Sequence, residues 1–141
     1  MTLPTHLHNR YPFYGMVPKR IDANLEFRSR ILEQARDPKT ARGLWSMCAR
    51  DLLFYVNTFC WTYDNRDLDT YPRTPFITYP FQDDTLMQLE DAIGRHDFYI
   101  EKSRAMGATW LCLVALEHLW HFRDGLSFLL VSRKEEFVDK S

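Results

Sequence analysis

No stretch of this sequence approaches the ~18 consecutive apolar residues that a membrane-crossing helix requires. The opening residues, MTLPTHLHNRYP, lack the basic-then-apolar pattern of a secretory signal. Both absences point to a soluble, cytosolic protein. Net charge is also lacking, at −1, so no global basic field attracts nucleic acid. Any DNA or RNA contact has to come from a local patch or from polypeptide elsewhere. Cysteine is scarce and odd in number (Cys48, Cys60, Cys112), with no C-x-x-C spacing. That excludes a disulfide framework and a cysteine zinc site, and reads as buried thiols in a reducing compartment. Internal repeats and low-complexity tracts are absent.

What is present is aromatic. Phe, Tyr and Trp make up 15% of 141 residues, enough to fill much of the interior of one domain or an interface. Residues 1–22, with Pro4, Pro12, Gly15 and Pro18, read as an irregular N-terminal arm. A helix is predicted over Asn24–Arg36, capped by Asp22 or Asn24, with Leu25, Ile31, Leu32 and Ala35 on one face. Asp37-Pro38 breaks it. A second helix is predicted over Thr40–Phe59, and its aromatic continuation (Phe54, Tyr55, Phe59, Trp61, Tyr63) reads as core packing.

Tyr63–Arg73 is charged and reads as a loop, and Pro75–Pro80 as a short extended segment. Phe81–Ile93 is helical again, stopped by Gly94. Strand Asp97–Lys102, helix Thr109–Phe122 and strand Leu126–Ser132 then form a β–loop–α–β unit, and Arg133–Asp139 begins another helix. His96, His118 and His121 read as surface or boundary residues. His6 and His8 have no cysteine or carboxylate neighbours to complete a metal site. Arg133 and Lys134 read as solvated, and Glu135, Glu136 and Asp139 as an acidic helical face.

The segment YIEKSRAMGATW (Tyr99–Trp110) holds the most specific pattern. A β-prone run, a short polar loop with one glycine, and a helix opening at Thr109 together suit an anion: loop N–H groups and the helix N-terminus converge on it. Aligned on the P-loop pattern G-x-x-x-x-G-K-[ST], Gly107 takes the second glycine and Thr109 the Ser/Thr. Lys102 falls on the first glycine and Ala108 on the lysine. Local pattern alone reads more simply as an ordinary strand-to-helix turn capped by Thr109. Gln82 likewise fits a helix-terminal residue that caps or faces solvent.

Three blocks, taken in order, resemble the N-terminal ATPase region of the large terminase subunit, the DNA-packaging motor of tailed bacteriophages. They are DLLFYVNTFCWTYD (Asp51–Asp64), PFITYPFQ (Pro75–Gln82) and EKSRAMGATW with the downstream SFLLVSRKEEFVD. Together they span most of the chain from Asn24 to Asp139. The resemblance implies an α/β fold, a partial P-loop NTPase core of ASCE/RecA-like type behind an N-terminal helical segment, with residues 23–141 as its ATPase part.

It also implies ATP and Mg²⁺ as cofactors. Ser103, Arg104, Ala105, Met106, Gly107, Ala108 and Thr109 would form the nucleotide loop. Arg104 would supply the charge, gripping phosphate through its fork of N–H groups, and Thr109 the hydroxyl on the metal. Gln82 would recognise adenine, with Tyr79 or Phe81 stacked on the ring. In the intact motor the partners would be double-stranded DNA, the small terminase subunit and the portal protein, in the cytoplasm of an infected or lysogenic bacterium. The family's Walker B Asp-Glu pair and nuclease have no counterpart here, so the expectation is a truncated chain that does not hydrolyse ATP alone. The alternative is a degenerate prophage remnant, or an interaction module that binds no nucleotide.

Overall fold

The computed structural model describes residues 9–63, 73–103 and 106–131. Helix α1 (Ile21–Gln34) starts after Arg20, without a side-chain cap. Neither expected cap acts as one: Asp22 pairs with Arg20 at 2.6 Å inside the first turn, and Asn24 is fully buried. The buried stripe is Asn24, Arg28 and Ile31, whereas Leu25 and Leu32 face outward. Periodicity of apolar residues chose the wrong face because two polar side chains have a better reason to be inside. They satisfy carbonyls left open at the end of the central helix described next.

Helix α2 (Pro38–Arg50) and helix α3 (Leu52–Phe59) replace the single helix expected over Thr40–Phe59. The break is Asp51, at φ −141° and ψ 93°. One carboxylate oxygen accepts the Phe54 N–H at 2.7 Å, capping α3. The other accepts the N–H groups of Phe13 at 2.8 Å and Tyr14 at 2.9 Å, fixing the N-terminal segment to the core. At the far end of α3, Arg28 donates to Asn57 O and Cys60 O, each at 2.8 Å, and Asn24 donates to Asn57 O at 3.1 Å. Leu52, Leu53, Phe54 and Val56 are all buried, so α3 is the axle of the molecule.

A short antiparallel hairpin follows, absent from the sequence reading. Strand β1 (Trp61–Tyr63) pairs with β2 (Arg73–Pro75) in the register Trp61↔Pro75, Thr62↔Thr74, Tyr63↔Arg73. Phe76 N–H donates to Cys60 O at 3.0 Å and ties the hairpin to α3. Most of the loop expected between the two, residues 64–72, lies outside the described residues. Trp61 and Tyr63 are exposed on β1, unlike Phe54 in the core.

Helix α4 (Pro80–Ala92) has proline at its first position and is followed by Gly94 at φ 77°, as the sequence suggests. Helix α5 (Ala108–Phe122) packs beside it. Gln82, in the first turn of α4, reaches Met106 just ahead of α5, and Glu90 near the end of α4 faces Arg123 just past α5. The two helices are therefore parallel, and the stretch 93–103 runs back along them, with Ile100 on the core.

That return segment is where a strand was expected. Residues 97–103 and 126–131 are irregular, without ladder partners among the described residues. A parallel strand exists only through its neighbours, and the one hairpin lies elsewhere. Ser132 and the helix expected from Arg133 lie outside the described residues.

Two apolar clusters flank α3. One gathers Tyr11, Leu53, Val56, Leu86, Leu89 and Leu111, and the other Val17, Ile31, Leu44, Cys48 and Phe54. His118 is also inside, not at the boundary: it is 1% exposed and its Nε2 lies 2.8 Å from Cys48 O. Cys48 is buried and Cys60 and Cys112 half-buried, all three as free thiols, and burial pushes Cys48 and Cys60 up to about 12. Among the described residues, no helix is long and apolar enough to cross a membrane.

Candidate functional site

The parallel arrangement brings two sequence-distant parts of the expected nucleotide site together. Gln82 is buried at the start of α4. Its Oε1 accepts the Tyr79 N–H at 3.0 Å, the reverse half of a capping box, and its Nε2 donates to Met106 O at 3.2 Å. Gly107 follows at φ +76°, a conformation that favours glycine. A Cβ at Gly107 would sit 3.1 Å from Gln82 Nε2, a tight contact that would press on the amide.

Helix α5 begins without a side-chain cap. The N–H groups of Ala108, Thr109 and Trp110 have no backbone acceptor among the described residues. They add up with the helix macrodipole as donors and partial positive charge at one spot. Ala108 and Met106 are half-buried, and Ser103 and Thr109 are exposed. Arg104 and Ala105 lie outside the described residues.

An amide side chain has two N–H donors and an oxygen with two lone pairs. The two bonds of Gln82 leave one of each for another group. Beside it, the exposed rings of Tyr79 and Phe81 stack on each other, 5.9 Å between centroids and 5° between planes. Among the described residues no three His, Cys, Asp or Glu side chains gather into a metal-binding group. The hydroxyls of Ser103 and Thr109, both exposed, are side-chain oxygen ligands of the type a phosphate-bound Mg²⁺ takes.

At the next residue of α4, Asp83, sits a partly buried polar cluster that no local sequence pattern announces. Lys19 Nζ donates to Thr78 O at 2.9 Å, Thr78 Oγ1 at 3.0 Å and Asn57 Oδ1 at 3.1 Å, and lies 3.6 Å from Asp83. Asp83 accepts the hydroxyls of Tyr14, at 2.5 Å, and Thr78. Asn57 Oδ1 also accepts the Thr78 N–H at 2.9 Å. Burial pushes the Lys19 pKa down, opposed by the charge of Asp83, and burial pushes the Tyr14 phenol up.

Every member of the cluster finds a partner, and it joins four segments: the N-terminal segment, α3, the stretch ahead of α4, and α4 itself. Its effect is to hold the first turn of α4, and so Gln82, in place. Local sequence could not reveal it, because the partners lie up to 69 positions apart.

Comparison of the chain with protein-family models, with curated proteins and with solved structures finds no match.

Proposed function

We propose that the chain is the nucleotide-binding N-terminal portion of a large-terminase-type ATPase. In the intact motor this would package double-stranded DNA with the small terminase subunit and the portal protein, in the cytoplasm of a bacterial host. The observation that carries the reading is the meeting of Gln82 with Met106 and Gly107. Two blocks 24 positions apart, singled out by the resemblance, meet at the N-terminus of a 15-residue helix that has no side-chain cap among the described residues.

The N–H groups at the start of α5, without a backbone acceptor among the described residues, and the close approach allowed at Gly107 suit phosphate oxygens. Arg104 adds the charge that Ala108 cannot, and Thr109 contributes its hydroxyl to Mg²⁺. The remaining N–H and lone pair of Gln82 match the edge of adenine. Bound Mg²⁺·ATP would supply the phosphoryl chemistry, and this stretch would hold it without turning it over.

Thermal unfolding with Mg²⁺·ATP tests this. A nucleotide-dependent rise in midpoint that disappears in Arg104→Ala is expected. No rise at millimolar nucleotide would contradict it.

One observation favours a second reading, an interaction module that binds no nucleotide. Tyr99, Leu129 and Val131 are 87%, 88% and 82% exposed, as a partner-binding surface would be.

A further inference from the structure

At the other end of the α4–α5 pair, where both helices finish, the surface opens into a polar cleft of about 560 Å³. The N-terminal segment contributes Arg10, the end of α2 Arg50, the end of α4 Glu90 and Asp91, the turn after α4 Arg95, and the residue after α5 Arg123. Four guanidinium groups against two carboxylates leave a formal charge of +2 in one concavity.

Only Arg10 is held tightly, with Nη1 2.7 Å from Asp91 and Nη2 3.2 Å from Glu90. Arg123 reaches Glu90 at 3.8 Å and Arg95 reaches Asp91 at 3.9 Å, both side chains more than half exposed. Arg50 lies 5.7 Å from the centre of the Phe13 ring and has no carboxylate partner among the described residues. Among the described residues, three forks of N–H donors are thus largely unused.

An arginine at a helix C-terminus complements the macrodipole, and that accounts for Arg50, Arg95 and Arg123 one at a time. It does not account for three helices ending around a common hollow with an excess of guanidinium. Glu90 also accepts the buried Tyr11 hydroxyl at 2.7 Å, so its carboxylate is a fixed point between Arg10 and Arg123, whereas Asp91 is half-exposed and competes for the arginines. Planar forks arranged in this way match tetrahedral oxyanions, which accept two parallel N–H bonds from each.

We propose that this cleft binds a multivalent oxyanion of the phosphate class, at a site separate from the Gln82–Gly107 loop. The ligand is either a free polyphosphate or the phosphodiester backbone of a nucleic acid.

Calorimetric titration of the whole chain with pyrophosphate and, separately, with a short DNA duplex tests it at constant ionic strength. At least one should bind, and an Arg50→Ala/Arg123→Ala double variant should weaken binding by about tenfold or more, each lost charge-assisted contact being large on that scale. Pyrophosphate binding identifies a free oxyanion as the ligand, and duplex binding alone identifies the phosphodiester. Asp91→Asn, which removes a competing carboxylate at a half-exposed position, should bind several-fold tighter, a gain that misfolding cannot imitate. The absence of binding by either probe would overturn the proposal. So would affinity unchanged in the double variant, which would move the site elsewhere, including to the Gly107 loop.

Discussion

A single carboxylate, Asp51, ends α2, caps α3 and anchors the segment around Phe13 and Tyr14. Burial raises its pKa, and the three N–H groups that surround it oppose that shift. Removing it takes away a helix cap and leaves two further N–H groups, one of them buried, without a partner. Asp51→Ala should therefore lower unfolding free energy by about 3 kcal/mol in urea titrations. Asp51→Asn should not restore it fully, since an amide offers one acceptor atom where two are used.

His118 presents the complementary case. To donate to Cys48 O it carries its proton on Nε2, which leaves Nδ1 a bare acceptor with no partner among the described residues. Burial holds its pKa below the ordinary 6.5. As pH falls through 6.5 the unfolded chain takes up a proton before the folded one does, so the contribution is full above that pH and declines below it. Urea midpoints should fall between about pH 7.5 and about pH 5.5, and the fall should be shallower in His118→Gln, which keeps a donor but does not titrate.

At the scale of elements, the contact between α4 and the start of α5 matters most. Gly107→Ala should cost about 1–2 kcal/mol, from left-handed backbone and from pressure on Gln82 Nε2. In a Gln82→Ala background the same substitution should cost measurably less, since part of the penalty is that contact. Equilibrium unfolding of the two single variants and the double variant gives the coupling directly.

Helix positions and the stops at Pro38 and Gly94 were legible because they depend on local periodicity and turn chemistry. The break at Asp51 was not, since its cause is the distant backbone of Phe13 and Tyr14. The buried face of α1 was misread for a similar reason: Asn24 and Arg28 go inside to satisfy carbonyls at the end of α3. Residues 97–103 and 126–131 have the composition of strands, but composition does not supply neighbours. In the candidate site, the placement of Gln82 in the first turn of a helix and of Gly107 at the turn ahead of one was legible. The Lys19–Asp83 cluster that positions them was not.

Across the whole molecule, α3 couples both apolar clusters, and the two ends of the α4–α5 pair differ in character. The N-terminal end offers open N–H groups, Gln82 and exposed aromatic rings, and the C-terminal end offers arginines. Apolar side chains at Leu126–Val131 lie outside the core, with Leu129 88% exposed. Such a run can pair with other chains through its backbone. Leu129→Lys should reduce self-association in sedimentation velocity, with unfolding free energy changed by less than about 0.5 kcal/mol, because the side chain is already in water.

Amide chemical shifts followed by NMR during titration with Mg²⁺·ATP test the nucleotide site most directly, because they report position as well as binding. The amides of Gly107, Ala108, Thr109 and Trp110, with the side-chain amide of Gln82, should move together and saturate. Shifts confined to the arginine cleft around Arg50 and Arg123, or none at millimolar nucleotide, would contradict a nucleotide site at the start of α5.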